Sequence, residues 1–339
     1  MTDSEITQIG IIGLGYWGPN LVRNFSSVAN TKVAMVCDLR DERLQFIKKG
    51  YPAVETTKNV DEVFNNPGID AIVIATPVFS HYELAKRGLS LGKNILLEKP
   101  MTDTVDHAKE LIDIANDNRK LLMVDHTFLY NGAVKKMKEI VDKGDLGHLK
   151  YFDSTRINLG LIQQDVNVLW DLAPHDISIL NYLVSERPHS VQATGVSHIH
   201  NGIENIAYLT VNYSNGFIAH FNCSWSSPVK IRMMLLGGDK KMIVFNDIEQ
   251  AEKIKIYDSG FKVQNEEEKS FVRVAYRTGD IYVPKLDMSE ALFNMAGDFV
   301  NSIRTGEKPV ADWESGLWTI KILEAAQKSI KNKGVEVSL

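Results

Sequence analysis

The segment LWDLAPHDISIL, residues 169–180, places Asp171 and His175 four positions apart in an otherwise apolar run. Residues at this spacing lie on one face of a helix, one turn apart. A carboxylate in that position can hold an imidazole and stabilise its protonated form, which suits proton transfer near neutral pH. A structural alternative is that Asp171 caps the helix, since Asp is a favoured N-cap. Pro174 is tolerated only in a first turn, so the helix is predicted to begin near Asp171.

A second candidate for chemistry is Lys99, which follows the apolar run NILLE and precedes Pro100. A charge beside a buried strand costs free energy unless it is paired or used. The residue before a proline also favours an extended backbone. Lys99 could therefore direct its ammonium group at a substrate, or it could be an exposed lysine at a strand end.

The segment IIGLGYWG holds Gly13, Gly15 and Gly18 in a G-x-G-x-x-G spacing, directly after an apolar run. Such glycines allow a tight turn, the approach of a pyrophosphate and close packing of helix on strand. The next apolar run ends in Asp38, where a carboxylate can accept hydrogen bonds from both ribose hydroxyls of an adenosine. Asp38 would repel a 2′-phosphate, so the pattern favours NAD over NADP, although the guanidinium of Arg40 could hold that phosphate.

The elements that position these residues alternate between strands and helices over residues 8–128. Ile- and Val-rich runs with little alternation predict strands buried on both faces, namely QIGIIGLG, KVAMVCD, AIVIATP, KNILLEKP and KLLMVDHTF. Helical patterns between them predict a parallel sheet with helices on both faces. The carboxyl ends of parallel strands meet at one edge, where ligands bind. Thr76, Pro77 and His81 in ATPVFSH should therefore line the cofactor, unless His81 caps the following helix.

The pattern changes after about residue 130, where strands follow one another without helices between them. Turn signals at residues 214–216 and 238–239 each separate two apolar runs and predict hairpins. Two helical patterns close the chain. We therefore predict an α/β protein in which a doubly wound parallel sheet is followed by an α+β domain with a large, mostly antiparallel open sheet. The expected domains are residues 1–125, which bind NAD(P), and residues 126–339, which bind substrate and form oligomers.

Composition excludes several classes of function. The 339 residues are 44% apolar and 24% charged with a net charge of -5, which gives no electrostatic argument for nucleic acid or an anionic membrane. The longest apolar runs are too short to span a bilayer, and the start MTDSEITQ lacks signal-peptide features, so we expect a cytoplasmic protein. Cys37 and Cys223 form no redox or metal spacing, and His198 and His200 have no third ligand in register. No metal is expected.

The segments GLGYWG, ATPVFSH, EKP and DLAPHD, in this order, resemble the Gfo/Idh/MocA family of glucose-fructose oxidoreductase and inositol dehydrogenase relatives. The resemblance covers nearly the whole chain. It implies a two-domain Rossmann enzyme that binds NAD or NADP and oxidises or reduces a hydroxyl of a sugar or cyclitol. It also implies that Lys99, Asp171 and His175 are catalytic, that Glu98 and Lys99 contact the cofactor, and that the Lys99–Pro100 bond is cis.

Departures from the family pattern point to a narrower branch. The segment DVNVLW precedes the aspartate of the D-x-x-x-H motif, where many family members have a glycine-rich segment. Ala173 and Pro174 replace the usual loop. Ser178 stands where many members carry an acidic residue. These features look like the branch that acts on nucleotide-linked sugars of polysaccharide and amino-sugar pathways. The family also implies a homodimer or homotetramer packed through the antiparallel sheet.

The residue types predict a mechanism. His175 takes or returns the hydroxyl proton, Asp171 orients it, and Lys99 hydrogen-bonds the reacting oxygen. Further contacts are expected from two groups: Tyr16 and Trp17 beside the nicotinamide or sugar, and Arg156, Asn158 and Asn167 on sugar hydroxyls or a diphosphate. Two alternatives remain at this stage: a redox-silent regulator that binds dinucleotide as a signal, and a hydrolase or epimerase that uses tightly bound NAD.

Overall fold

The computed structural model describes residues 6–160, 162–163, 166–199, 202–264 and 273–339. The chain divides into two compact units, each of which combines two segments. The first unit contains Met1–Asn131 and Ser289–Lys321, and the second contains Gly132–Met288 and Ile322–Leu339. His200, which entered the argument about metal ligands, lies outside the described residues.

The first unit is built on a six-stranded parallel sheet in the order β3-β2-β1-β4-β5-β6. Its strands are β1 (Thr7–Ile12), β2 (Thr31–Cys37), β3 (Glu55–Thr57), β4 (Ala71–Ile74), β5 (Asn94–Glu98) and β6 (Leu122–Asp125). The connecting helices are α1 (Gly18–Ser27), α2 (Asp41–Gly50), α3 (Val60–Phe64), α4 (His81–Ser90) and α5 (Val105–Asp117). The predicted doubly wound sheet is confirmed. The short edge strand β3 was not predicted, since three residues carry too little pattern.

Burial explains why these segments form this sheet. All four residues of β4 and of β6 are buried, as expected for strands with helices on both faces. The helices begin at side-chain caps where the sequence supplies them. Asn59 accepts from the N–H of Asp61 at the start of α3, and Thr104 accepts from the N–H of His107 at the start of α5.

Residues near the end of the chain complete the first unit. Helix α8 (Ala291–Thr305) lies against α1, with the rings of Phe25 and Phe299 6.1 Å apart, edge to face. The hydroxyl of Tyr130 donates to Asp298 over 2.6 Å. The unit therefore differs from a domain that ends at residue 125, because α8 covers apolar surface that residues before 131 leave open. The division between the units falls within α9 (Trp313–Lys331).

The second unit contains, within the described residues, a nine-stranded sheet in the order β16-β13-β12-β11-β7-β10-β9-β8-β17. Only the β7–β10 pair is parallel, so the predicted mostly antiparallel sheet is confirmed. Both hairpins form, between β9 and β10 and between β11 and β12. The strands are β7 (Leu149–Leu159), β8 (Ser190–Val196), β9 (Ile206–Asn212), β10 (Ile218–Ser224), β11 (Ser226–Gly238), β12 (Met242–Asn246), β13 (Ile254–Tyr257), β16 (Ile281–Tyr282) and β17 (Val337–Ser338). A separate two-stranded sheet pairs β14 (Gly260–Gln264) with β15 (Arg273–Arg277).

Two further helices belong to this unit, α6 (Gly132–Asp142) and α7 (Val168–Leu183). The predicted start of α7 near Asp171 is wrong by three residues. Asn167 is the N-cap, because its side-chain oxygen accepts from the backbone N–H groups of Leu169 and Trp170. Pro174 therefore lies inside the helix rather than in its first turn.

Among the described helices, none combines the length and the apolar character that crossing a membrane requires.

Candidate functional site

The glycine loop between β1 and α1 has the geometry that close approach requires. Gly13 has φ +96°, and a Cβ there would lie 2.5 Å from the carbonyl oxygen of Ala75. A Cβ on Gly18 would lie 2.6 Å from the carbonyl oxygen of Gly13. Gly15 differs, since a Cβ there would meet no described atom within 4 Å. Gly13 and Gly18 are thus required by packing, whereas Gly15 leaves open space next to a helix N-terminus.

Asp38 follows β2 and binds the glycine loop directly. Its Oδ2 accepts from the backbone N–H of Leu14 over 2.7 Å, and its Oδ1 accepts from the backbone N–H of Arg40 over 2.9 Å. The Arg40 guanidinium also pairs with both carboxylate oxygens, at 3.1 and 3.2 Å. Burial alone would raise the pKa of Asp38, but the hydrogen bonds from Arg40 and Leu14 hold it below its ordinary value. Asp38 is therefore a carboxylate at neutral pH.

A cavity of about 680 Å³ opens at this edge of the parallel sheet. It brings together Gly13, Gly15, Asp38, Thr76 and Pro77, five of the residues predicted to bind the cofactor. The remaining lining is largely apolar: Ile12, Cys37, Leu39, Arg40, Lys58, Val60, Ala75, Phe79, Ser80 and Leu84. An apolar cleft with a carboxylate at one end and a glycine turn suits the flat rings, ribose and pyrophosphate of a dinucleotide.

Six further residues predicted to bind the cofactor are not among those that line this cavity: Tyr16, Trp17, Gly18, His81, Glu98 and Lys99. Tyr16 and Trp17 do not line this cavity; both are exposed and contact each other edge to face at 5.2 Å. His81 is buried behind the lining, with Nδ1 3.0 Å from the carbonyl oxygen of Pro100 and Nε2 2.8 Å from that of Thr76. The imidazole thus joins the loop after β4 to the loop after Lys99. Burial lowers the pKa of His81, and the facing carbonyls oppose that shift.

The ends of β5 and β6 carry a cluster of ionisable groups, in which Asp125 and His126 are buried and Glu98 and Lys99 are half-buried. The Lys99–Pro100 bond is cis, as expected, and the backbone N–H of Lys99 donates to Glu98 over 2.9 Å. Glu98 pairs in register with Asp125 on β6. Burial raises the pKa of both carboxyls, and the Asp125 charge raises that of Glu98 further. Burial lowers the pKa of His126 to about 3.

Asp125 and His126 were missed from the sequence. The available signal was VDH at the end of the sixth strand, because that strand ends at the same edge as Lys99.

The second unit supplies the other predicted catalytic residues. Asp171 and His175 lie one turn apart on α7, and both are half-buried. Asp171 does not cap the helix. Its Oδ2 accepts instead from the indole N–H of Trp225 over 2.9 Å. Trp225, which directly follows β10, is buried and was not recognised in the sequence. The hydroxyl of Ser178 donates to the carbonyl of His175 over 2.7 Å.

Asp176, next to His175, is held by residues of β7. It accepts from the Ser154 hydroxyl over 2.6 Å and from Arg156 Nε at 2.9 and 3.1 Å. A second bond comes from Arg156 Nη2. The Arg156 side chain is only 2% exposed, so its guanidinium serves this ion pair rather than a sugar or diphosphate.

The two asparagines also have defined places. Besides capping α7, Asn167 donates through Nδ2 to Glu204 over 2.8 Å and to Gln327 over 2.6 Å. Its polar atoms are therefore engaged within the second unit. Asn158 is half-buried on β7, and its contact with substrate stays a prediction. The described residues contain no group of three or more His, Cys, Asp or Glu side chains placed to hold a metal ion.

Comparison with known proteins identifies both parts of the chain. Residues 7–126 match the family model described as oxidoreductase family, NAD-binding Rossmann fold, and residues 134–244 match the Gfo/Idh/MocA C-terminal domain. A myo-inositol 2-dehydrogenase of Thermotoga maritima is 21% identical over 340 residues, which cover 96% of this chain and 97% of that protein.

Two solved structures share the fold. A UDP-N-acetylglucosamine 3-dehydrogenase from Acidithiobacillus ferrooxidans has a TM-score of 0.81 at 19% identity, covering 96% of this chain and 98% of that one. An oxidoreductase from Agrobacterium radiobacter, solved with NAD+, L-tartaric acid and magnesium, has a TM-score of 0.81 at 16% identity and covers 98% of each chain. The chain belongs to the Gfo/Idh/MocA oxidoreductase family and contains that family's NAD-binding Rossmann domain.

Proposed function

We propose that this enzyme transfers a hydride between a hydroxyl-bearing carbon of a nucleotide-activated sugar and NAD, with His175 as the acid/base. The observation that carries the proposal is the Asp171–His175 pair on α7, in which the carboxylate is held by Trp225 one turn from the imidazole. A dehydrogenase of CH–OH groups needs a group that takes the hydroxyl proton, and histidine titrates in the required range.

The cofactor is assigned to the cavity of the first unit. Asp38 would hold the adenosine ribose, and the open space at Gly15 would admit the pyrophosphate. When bound there, NAD supplies the hydride acceptor for oxidation, or in its reduced form the donor for reduction.

The residues of this chain supply the proton chemistry. During oxidation His175 removes the hydroxyl proton and Asp171 stabilises the resulting imidazolium. The Lys99 ammonium donates to the reacting oxygen and stabilises its developing negative charge. In the reverse direction His175 returns the proton. The family motifs EKP and D-x-x-x-H support these roles of Lys99 and His175.

A nucleotide-activated sugar is the proposed substrate class. Its support is the segment around His175, which departs from the general family pattern as described above, and the shared fold of the UDP-N-acetylglucosamine 3-dehydrogenase. The inositol dehydrogenase relative makes free cyclitols the class to be tested against it.

The experiment is a screen of UDP-linked sugars, free sugars and inositols with NAD, read at the absorbance band of reduced nicotinamide. A UDP-sugar that supports turnover at least about tenfold faster than any free sugar or inositol is the expected result. Faster turnover of a free cyclitol would reject the substrate class, and no net reduction of NAD would reject the proposed reaction.

Variants then test the roles of the residues. Replacing Lys99 with Met or His175 with Asn should lower kcat about a hundredfold or more, because each removes a group that acts in the transition state. NAD affinity should stay close to that of the parent. Lys109→Met and His189→Asn, on exposed positions, are matched controls. Parental kcat in the Lys99 or His175 variant would reject its catalytic role.

We further propose a homodimer or homotetramer that packs through the open face of the nine-stranded sheet. Tyr151, Tyr208 and Ile218 project from that sheet with 36%, 46% and 45% of their surface exposed. Exposed apolar and aromatic residues on one sheet face are typical of an interface. A cytoplasmic location stays a prediction of the sequence.

A further inference from the structure

The helix that carries His175 has a weak point directly before it. Pro174 is the seventh residue of α7 and has no backbone N–H, so the hydrogen bond to the carbonyl of Trp170 cannot form. A proline ring inside a helix also crowds the preceding turn. Backbone hydrogen bonding alone therefore fixes His175 less firmly than it fixes residues elsewhere in the helix.

Side chains on both sides of this break bind the sheet beneath the helix. Asp171, before Pro174, accepts from the indole N–H of Trp225. Asp176, after Pro174, accepts from Ser154 and from two nitrogens of Arg156.

These partners belong to neighbouring parallel strands. Ser154 and Arg156 lie on β7, and Trp225 directly follows β10, whose Cys223 pairs in register with Arg156. Two carboxylates thus attach the two parts of α7 to adjacent places on one sheet.

The energetics of the Arg156–Asp176 pair favour a positioning role over a stabilising one. Both side chains are at most 2% exposed. A buried ion pair is, on balance, weak evidence for stability, because desolvation offsets most of the attraction, but a two-nitrogen bond fixes direction. The indole N–H of Trp225 is likewise a single directed donor to a charged acceptor.

We propose that Trp225 and Arg156 are positioning residues that hold the His175 turn of α7 across the Pro174 break. Neither side chain needs to touch the substrate. Each acts through a carboxylate next to, or one turn from, His175. The catalytic consequence rests on the proposed function, whereas the structural consequence can be measured without substrate.

The main test is Trp225→Phe, which keeps a buried aromatic ring but removes the N–H donor. The loss of a hydrogen bond to a charged group changes an equilibrium or rate constant by about 10- to 100-fold. We expect amide hydrogen exchange in residues 175–177 to accelerate about tenfold or more in the substrate-free protein. We also expect kcat to fall about tenfold or more, with KM for NAD unchanged. Trp318→Phe, on α9, is the matched control.

Arg156→Lys is the second variant, because it keeps the buried charge and should still fold. It replaces the two-nitrogen bond with a single ammonium. Faster exchange in the same amides, with kcat lowered about tenfold and NAD affinity unchanged, is expected.

The outcomes separate this proposal from the proposed function. If Trp225→Phe and Arg156→Lys both show the parent's amide hydrogen exchange in residues 175–177 and the parent's kcat, the positioning role is refuted. A lower Tm in both variants, with parental kcat and exchange, would also refute it, because it would show a purely structural role. If exchange accelerates as expected while His175→Asn keeps full activity, the positioning role stands and the proposed function fails.

Discussion

Asp38→Asn is expected to reverse the preference of the cofactor cavity from NAD to NADP. The substitution removes the negative charge but keeps a side-chain oxygen that can accept from the backbone N–H of Leu14. In the parent this N–H donates to Asp38 Oδ2 over 2.7 Å. The glycine loop should therefore keep its shape. It also releases the guanidinium of Arg40, which now binds both carboxylate oxygens.

The loss of NAD affinity follows from the change of acceptor. Hydrogen bonds to a charged group contribute about 1.5–3 kcal/mol, against about 1 kcal/mol for neutral partners. Replacing the carboxylate with an amide should thus weaken NAD binding by about 1–2 kcal/mol, or about 5- to 30-fold.

The gain in NADP affinity comes from relief of repulsion. Two unit charges about 4 Å apart repel by about 4 kcal/mol at an effective dielectric of about 20, and by about 1 kcal/mol in water. The Arg40 side chain at this rim is 48% exposed, which places the repulsion between these limits, at about 2 kcal/mol. NADP should bind about 30-fold more tightly, and the ratio of the two dissociation constants should change by two to three orders of magnitude.

The assay is calorimetric titration of the parent and the variant with NAD and NADP. Arg40→Gln in the Asp38→Asn background is the control, because it removes the guanidinium that Asp38→Asn releases; NADP should bind less tightly than to the single variant, and NAD affinity should not change. The reasoning is refuted if Asp38→Asn weakens both cofactors equally, or if the double variant binds NADP as tightly as the single one.

Three further predictions concern the same unit. Gly13→Ala should lower the free energy of unfolding by about 1–3 kcal/mol, because φ +96° is strained for alanine and the new Cβ would lie 2.5 Å from the Ala75 carbonyl. Gly15→Ala should leave Tm unchanged and weaken NAD binding about tenfold or more, because its Cβ would occupy the space proposed for the pyrophosphate. Thermal melts and NAD titrations measure both effects. The same behaviour of the Gly13 and Gly15 variants in these assays would contradict the distinction. The raised pKa of Glu98 means that the folded protein holds a proton that the unfolded chain releases above about pH 4.3, so this residue's contribution to stability is lost as pH rises from there through the folded pKa. Glu98→Gln should therefore gain Tm relative to the parent as pH is raised from 5 to 8, and a constant difference across that range would exclude the raised pKa.

The architecture of the first unit was predictable because its strands are buried on both faces. Such strands produce uninterrupted Ile and Val runs, and the turn residues between them leave few alternative assignments. β3 was not predicted because it has only three residues. The placement of α8 in the first unit could not be read from the sequence, because a helical pattern does not say which neighbour the helix packs against. The start of α7 was misjudged because Pro174 was expected to lie in the first turn, whereas the helix begins at Val168 and contains Pro174 in its interior.

The site was predictable to the extent that chemistry depends on local spacing. The glycine loop, Asp38 and the pair on α7 all lie within short segments. Trp225 and Arg156 could not be found in this way, because they lie 54 and 20 residues from the carboxylates that they bind. From sequence alone, a polar residue that pairs with a residue distant in the chain cannot be distinguished from one that contacts a ligand. Arg156, predicted to contact substrate, instead pairs with Asp176.

The first unit is assembled from chain segments separated by more than 150 residues, and this has a consequence for biosynthesis. The nascent chain exposes Phe25 and Tyr130 on the ribosome until residues 291–305 have emerged to cover them. The dinucleotide-binding half therefore cannot complete its fold until residues 291–305 have been synthesised. During that interval its uncovered apolar surface is available to chaperones and vulnerable to aggregation.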